Sequence, residues 1–172
     1  MIHDRARMME LNDAEVTRLV DAANAPRWQG GSAGDGGAAD AERRLNARFG
    51  TGHALAVYGT LAPGEPNHHV VEPLGGEWTD GMIEGDLLPV GWGATLGYPA
   101  FRPRPGGPTV PVKLLTAPLL TTAWPILDEF EGAEYRRILV PVFTADTGGA
   151  RRLLTVANLY AAADAAPDPL AR

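Results

Sequence analysis

The sequence predicts an α+β domain: a small, strongly curved or barrel-like mixed β-sheet with one late core helix, preceded by a helical N-terminal extension. Three observations predict it. From His53 onward the apolar residues fall in short strand-like runs, separated by turn signals such as Gly106-Gly107-Pro108 and Thr147-Gly148-Gly149. A single helical run carrying Trp124, Leu127 and Glu131 interrupts them late in the chain. Before residue 50 the spacing is helical and is broken by a Gly-rich run over 29–39. With 172 residues, 45% of them hydrophobic, the chain is long enough for one core and too short for two. The expected division is an extension over 1–50, a domain over 51–162 and a tail over 163–172.

In order along the chain, Asn12-Asp13 cap a helix whose Val16, Leu19, Val20 and Ala23 form one apolar stripe, ended by Pro26. Residues 29–39 read as a flexible linker, because Gly and small side chains cannot offset their ordering entropy by burial. A second short helix follows from Asp40 as cap through Leu45 to Phe49, with Gly50 as its stop. Strands are expected at 53–58, 75–87 with a break, 93–102, 109–116, 134–144 and 151–162. The late helix has Thr121 or Thr122 as its cap, Pro125 in its first turn and Gly132 as its stop. The Ala/Pro/Asp-rich tail is expected to fray. The extension reads as a docked arm, a homo-oligomer contact or a partly disordered segment, with Trp28 as a candidate anchor. Residues 1–39 are expected to be dispensable for the chemistry.

Composition excludes several classes. A net charge of −6 with no basic stripe argues against nucleic acid or an anionic membrane as partner, since Arg43-Arg44, Arg136-Arg137 and Arg151-Arg152 are isolated pairs. Without cysteine there is no disulfide, thiol nucleophile or Cys-bound metal. Met1 to Arg5 has no signal-peptide pattern, and no apolar run reaches spanning length, so a cytoplasmic location is expected.

Two segments carry chemistry. Ala54-Leu55-Ala56-Val57 leads into Tyr58-Gly59-Thr60-Leu61 and then Pro63-Gly64-Glu65-Pro66-Asn67-His68. A strand that ends at such a turn leaves backbone N–H groups free to hold an anion, although Gly59 there also fits an ordinary loop exit that needs an unusual φ. Thr60 has no adjacent base to activate it, which favours an anchoring role. His68-His69 project in different directions, and with only four histidines in the chain a three-ligand metal site is not expected. The second segment runs from Leu127 to Arg137 and gathers Asp128, Glu129, Glu131, Glu134, Tyr135, Arg136 and Arg137. Helical spacing puts Glu131 on the inward face with Trp124 and Leu127, Asp128 near it and Glu129 away from it. A carboxylate in the last helical turn, partly desolvated, has its pKa pushed up and suits a general acid/base. The alternative is a solvated helix end in which Glu131 pairs with Arg136 or Arg137.

The YGTL turn with its Pro-Asn-His run, and the LDEFEG segment followed by Tyr135-Arg136, together resemble the gamma-glutamylcyclotransferase-like family, closest to its gamma-glutamylamine cyclotransferase branch. The likeness covers residues 53 to about 162. It implies the same barrel-like α+β fold and an enzyme that cyclises a small-molecule gamma-glutamyl substrate to 5-oxoproline, releasing the amine with no metal or cofactor. By the same resemblance Glu131 is the catalytic residue, and Tyr58, Gly59, Thr60, Leu61 and Tyr135 bind substrate. A binding module without turnover, and an interaction protein acting through its N-terminal helices, are the other classes that fit.

Overall fold

The computed structural model describes residues 11–31, 34, 36–144 and 149–166. Six strands, β1 (Ala54–Val57), β2 (Glu77–Leu88), β3 (Ala100–Pro103), β4 (Thr109–Thr116), β5 (Tyr135–Thr144) and β6 (Arg152–Ala162), form one sheet in the order β3-β2-β4-β1-β6-β5. Because β5 also pairs with β2, at Phe143 and Met82, five strands close on themselves and β3 rides outside on the C-terminal half of β2. β1 and β6 are parallel and the other pairs antiparallel, so the sheet is the mixed barrel the sequence predicts.

Strand alternation divides the core. Ala54, Ala56, Leu114, Ile138 and Leu159 turn inward with Ile83 and Phe101. Leu55, Val57, Leu115 and Tyr160 turn outward beneath α3 (Leu120–Glu131), whose Leu120, Ala123, Leu127 and Glu131 form its buried stripe. That stripe lays the end of α3 against the exit of β1.

The extension is a helical hairpin docked on the barrel. In α1 (Asp13–Trp28) the Asn12 side chain caps the Glu15 N–H at 2.9 Å. The expected stripe of Val16, Leu19, Val20 and Ala23 is the docking face, buried against Ala41 and Leu45 of α2 (Gly37–Phe49) and against Leu139 and Val156 of the barrel. α1 runs past Pro26 to Trp28, since a proline this late removes only its own N–H, and the N–H groups of Gln29 and Gly31 close the end on Pro26 O. Trp28 packs against the barrel interior.

The docking also has a polar component. Leu139 N donates to Asn24 Oδ1 and Asn24 Nδ2 donates to Leu139 O, both at 2.8 Å. A buried side-chain amide thus stands in for a neighbouring strand along the edge of β5 that β2 does not reach. Arg27 Nη1 adds a bond to Arg137 O at 3.3 Å.

Four sequence expectations change. α2 starts at Gly37, so Asp40 lies in its first turn rather than capping it. The strand expected over 93–102 shrinks to Ala100–Pro103, because Gly91 and Gly97 take φ of +85° and +83° and a 3-10 turn occupies Trp92–Leu96. α3 has Leu119 at its cap, and the hydroxyls of Thr121 and Thr122 donate to the carbonyls of Pro118 and Leu119 instead of capping. Pro125 is accordingly an interior residue of the helix, on its exposed side. The Thr147-Gly148 part of the last expected turn, Met1 to Arg5, and the tail beyond 166 lie outside the described residues.

Candidate active site

β1 ends at Val57 and the chain turns away from the barrel. Alternation points the Tyr58 ring inward, where it packs on Phe101 and its hydroxyl donates to Tyr160 O (2.7 Å) and accepts from Phe101 N (3.0 Å). Burial pushes the pKa of this phenol far up, so Tyr58 stays neutral. The turn after it is fastened on its outer side: Ala62 N donates to Gly59 O, Asn67 N to Thr60 O, and His68 Nδ1 to Leu61 O at 3.0 Å. His68 also lies against Trp78, with ring centroids 5.6 Å apart, and belongs to the turn's scaffold rather than to the cavity wall. No backbone carbonyl among the described residues accepts from the N–H groups of Gly59, Thr60 or Leu61. Gly59 does not take a positive φ, so it was not needed for an unusual backbone angle; a side chain there would project to 3.9 Å from Tyr98.

Gly59, Thr60 and Leu61 line a cavity of about 50 Å³ that Glu131 also lines. Glu131 is the last residue of α3 and only 8% exposed. Its carboxylate has no hydrogen-bond or ion-pair partner among the described residues, and burial pushes its pKa up to about 7. Its place at the C-terminal end of α3 acts with the same sign. The carboxyl is therefore held where both protonation states are populated near neutrality.

The neighbouring charges are engaged elsewhere. Arg137 forms a two-pronged pair with Asp128 (2.8 and 3.2 Å), and Tyr160 donates to the same carboxylate at 2.7 Å. Burial draws Asp128 upward, but the bonds from Arg137 and Tyr160 outweigh it and its pKa lies below the ordinary value. Arg136 Nη1 donates to the carbonyls of Ala133 and Tyr135. Neither arginine pairs with Glu131, and Asp128 and exposed Glu129 lie off the cavity.

The roof comes from the segment that the sequence reads as a strand. Trp92 Nε1 donates to Glu131 O at 3.0 Å, and its ring stands edge-on to Phe130 and Tyr135. Gly93 N donates to the Tyr135 hydroxyl at 3.4 Å; burial raises the pKa of that hydroxyl and this bond partly offsets it. Tyr98 donates to Glu65, tying the roof to the turn after β1. Tyr58, Gly59, Thr60, Leu61, Glu131 and Tyr135 thus meet at one cavity, with Trp92, which the sequence reads as core or pocket wall, and Gly93, Tyr98, Pro99 and Tyr160, which it did not assign, as further walls. The one available signal was Gly91-Trp92-Gly93, an aromatic between glycines. A Cβ on Gly91, at φ +85°, would fall 2.5 Å from the Tyr135 hydroxyl. Gly91→Ala is therefore expected to dislodge the roof and cost ~1–3 kcal/mol, measurable by urea unfolding and by altered tryptophan emission.

No curated protein is similar enough to match the chain. Among solved structures it is similar to an AIG2-like protein from Mus musculus, with 25% identity over 67% of this chain and 80% of that one and a TM-score of 0.50. It is also similar to an uncharacterised protein from Pyrococcus horikoshii, with 22% identity over 64% and 77% of the two chains and a TM-score of 0.44. The family model described as gamma-glutamyl cyclotransferase, AIG2-like, matches residues 55–170, which include β1 from its second residue, the turn after it, α3 and Glu131. The chain belongs to the gamma-glutamyl cyclotransferase, AIG2-like family.

Proposed function

We propose that the protein is a cyclotransferase that converts a gamma-glutamyl amine or amino acid into 5-oxoproline and the free amine. The observation that carries this reading is the unpartnered Glu131 carboxyl, with a pKa of about 7, lining the same cavity as Gly59 to Leu61, whose N–H groups have no backbone acceptor among the described residues. Those N–H groups hold the substrate's α-carboxylate. Glu131 takes a proton from the substrate's α-ammonium. The freed nitrogen attacks the side-chain carbonyl carbon and forms the new C–N bond of the five-membered ring. The old amide C–N bond breaks as Glu131 returns that proton to the departing nitrogen, and the ring nitrogen gives up its second proton through Glu131 to the released amine, which leaves as an ammonium. Nucleophile and electrophile are in one molecule, so orientation supplies much of the acceleration, with effective molarities reaching ~10⁵–10⁸ M in well-aligned cases. Tyr135 and Trp92 fix the position of Glu131 and shield it from water. A glutamyl group exceeds a cavity of about 50 Å³, so binding widens the site at the Trp92–Leu96 turn.

The test is a mass-spectrometric screen of gamma-glutamyl amines and gamma-glutamyl amino acids for 5-oxoproline release. Stoichiometric 5-oxoproline and amine from at least one of them is expected. Ligands that raise the unfolding temperature without any product would instead make the protein a binding module.

A further inference from the structure

A second and larger cleft, of about 710 Å³, lies on the far side of Tyr135 and Tyr160, where the end of α1 and one face of α2 meet α3 and the start of β5. Its volume is in the range of small-molecule sites, roughly 300–1,000 Å³. The α1 and α2 residues that line it precede the family match, which begins at residue 55, so the cleft exists only because the extension is docked. Four guanidinium groups, those of Arg27, Arg43, Arg136 and Arg137, line it against the carboxylates of Glu42 and Asp128. This is a local excess of positive charge in a chain of net charge −6.

The four arginines are not equally engaged. Arg27 is held by Glu42 at 2.7 Å and Asn158 at 2.9 Å. Arg137 is held by Asp128 and lies 4.6 Å over the Trp124 ring. Arg43 is 70% exposed at the mouth, with only a 3.3 Å contact to Asp40. Arg136 is different. Its Nη1 is satisfied by two carbonyls, whereas Nε is buried with no acceptor and no group among the described residues accepts from Nη2. The Nε–Nη2 edge is the one that grips a carboxylate or phosphate in two-pronged fashion. Gly30 lies against this guanidinium, where even a Cβ would sit 3.8 Å from Nε, so the neighbour there is bare backbone and not a side chain.

We propose that this cleft binds a small molecule bearing a carboxylate or phosphate oxyanion, which is received by Arg136 and drawn in by Arg43. The full chain is titrated with pyrophosphate and, separately, with citrate. Binding is followed by the unfolding midpoint and by tryptophan fluorescence, since Trp124 forms part of the cleft wall. A saturable response to at least one anion is expected, with pyrophosphate alone marking a phosphate ligand and citrate alone a carboxylate ligand. Arg136→Gln should bind roughly tenfold to a hundredfold more weakly, the usual effect of losing a charged hydrogen bond. The proposal is overturned if neither anion gives a saturable response or if Arg136→Gln binds like the wild type. Should Arg136→Gln fail to fold, the exposed Arg43→Gln decides by the same criterion.

Discussion

Glu131→Gln is expected to lose roughly 10²- to 10⁴-fold in turnover, the usual effect of removing a general acid/base, while substrate affinity is largely kept. The amide preserves the shape of the side chain, and the α-carboxylate is assigned to backbone N–H groups. The same substitution should make the protein more stable at alkaline pH. The folded carboxyl binds its proton more tightly than the unfolded one, with a pKa of about 7 against an ordinary 4.5. Ionisation therefore costs stability as pH rises from about 4.5 through about 7, and the loss is complete above that range. At 1.36 kcal/mol per pKa unit the gap corresponds to about 3 kcal/mol, a term that Gln lacks. Urea unfolding at pH 5 and pH 8 should show a pH-dependent decline in the wild type that is shallower by up to this amount in the variant. Glu129→Gln, exposed and away from the cavity, should leave both turnover and the pH profile unchanged. Near-normal turnover in Glu131→Gln would remove Glu131 from the proposed role.

Removing residues 1–36 should leave a protein that does not stay folded in isolation. Val16, Leu19, Val20 and Ala23 are all under 9% exposed, and their loss would uncover Leu45, Leu139 and Val156. Burying a large aliphatic side chain contributes ~1.5–3 kcal/mol. Three of them plus an alanine approach the ~5–15 kcal/mol that holds a whole domain together. Deletion would also strip Asn24 from Leu139 and leave an unpaired strand edge, a template for aggregation. The expected result is insoluble or largely unfolded material by circular dichroism and size-exclusion chromatography. A folded, active truncation would show that the Gly-rich run separates a truly independent arm, as its composition suggests. A milder variant, Asn24→Ala, isolates the polar part of the contact.

Legibility in the sequence followed locality. The α1 stripe, the Gly50 stop and the inward face of α3 that carries Glu131 were readable because each depends on residues three to seven positions apart. The turn at Tyr58 to Leu61 was readable as a strand exit with free donors. The roof was not, because the apolar and small residues over 93–102 fit a strand until three glycines and the Tyr135 hydroxyl are placed in space. The partners of the charges were equally hidden. Helical spacing alone offered Glu131 to Arg136 or Arg137, whereas the fold gives Asp128 to Arg137 and leaves Glu131 alone. The seating of α1 was out of reach for the same reason, since Asn24 and Leu139 are 115 positions apart.

The amide bond of Asn24 to Leu139 gives the docked helix a clock. In β5 the N–H groups of Ile138 and Val140 face β6, and they open only when the barrel itself comes apart. The Leu139 N–H is held by a side chain of α1 instead, so it is freed whenever that helix lifts away. A single proton thus separates two events that every global probe would merge, the departure of the arm and the unravelling of the barrel. The difference in free energy between them measures how far the arm behaves as a part of the domain and how far as a ligand tethered to it.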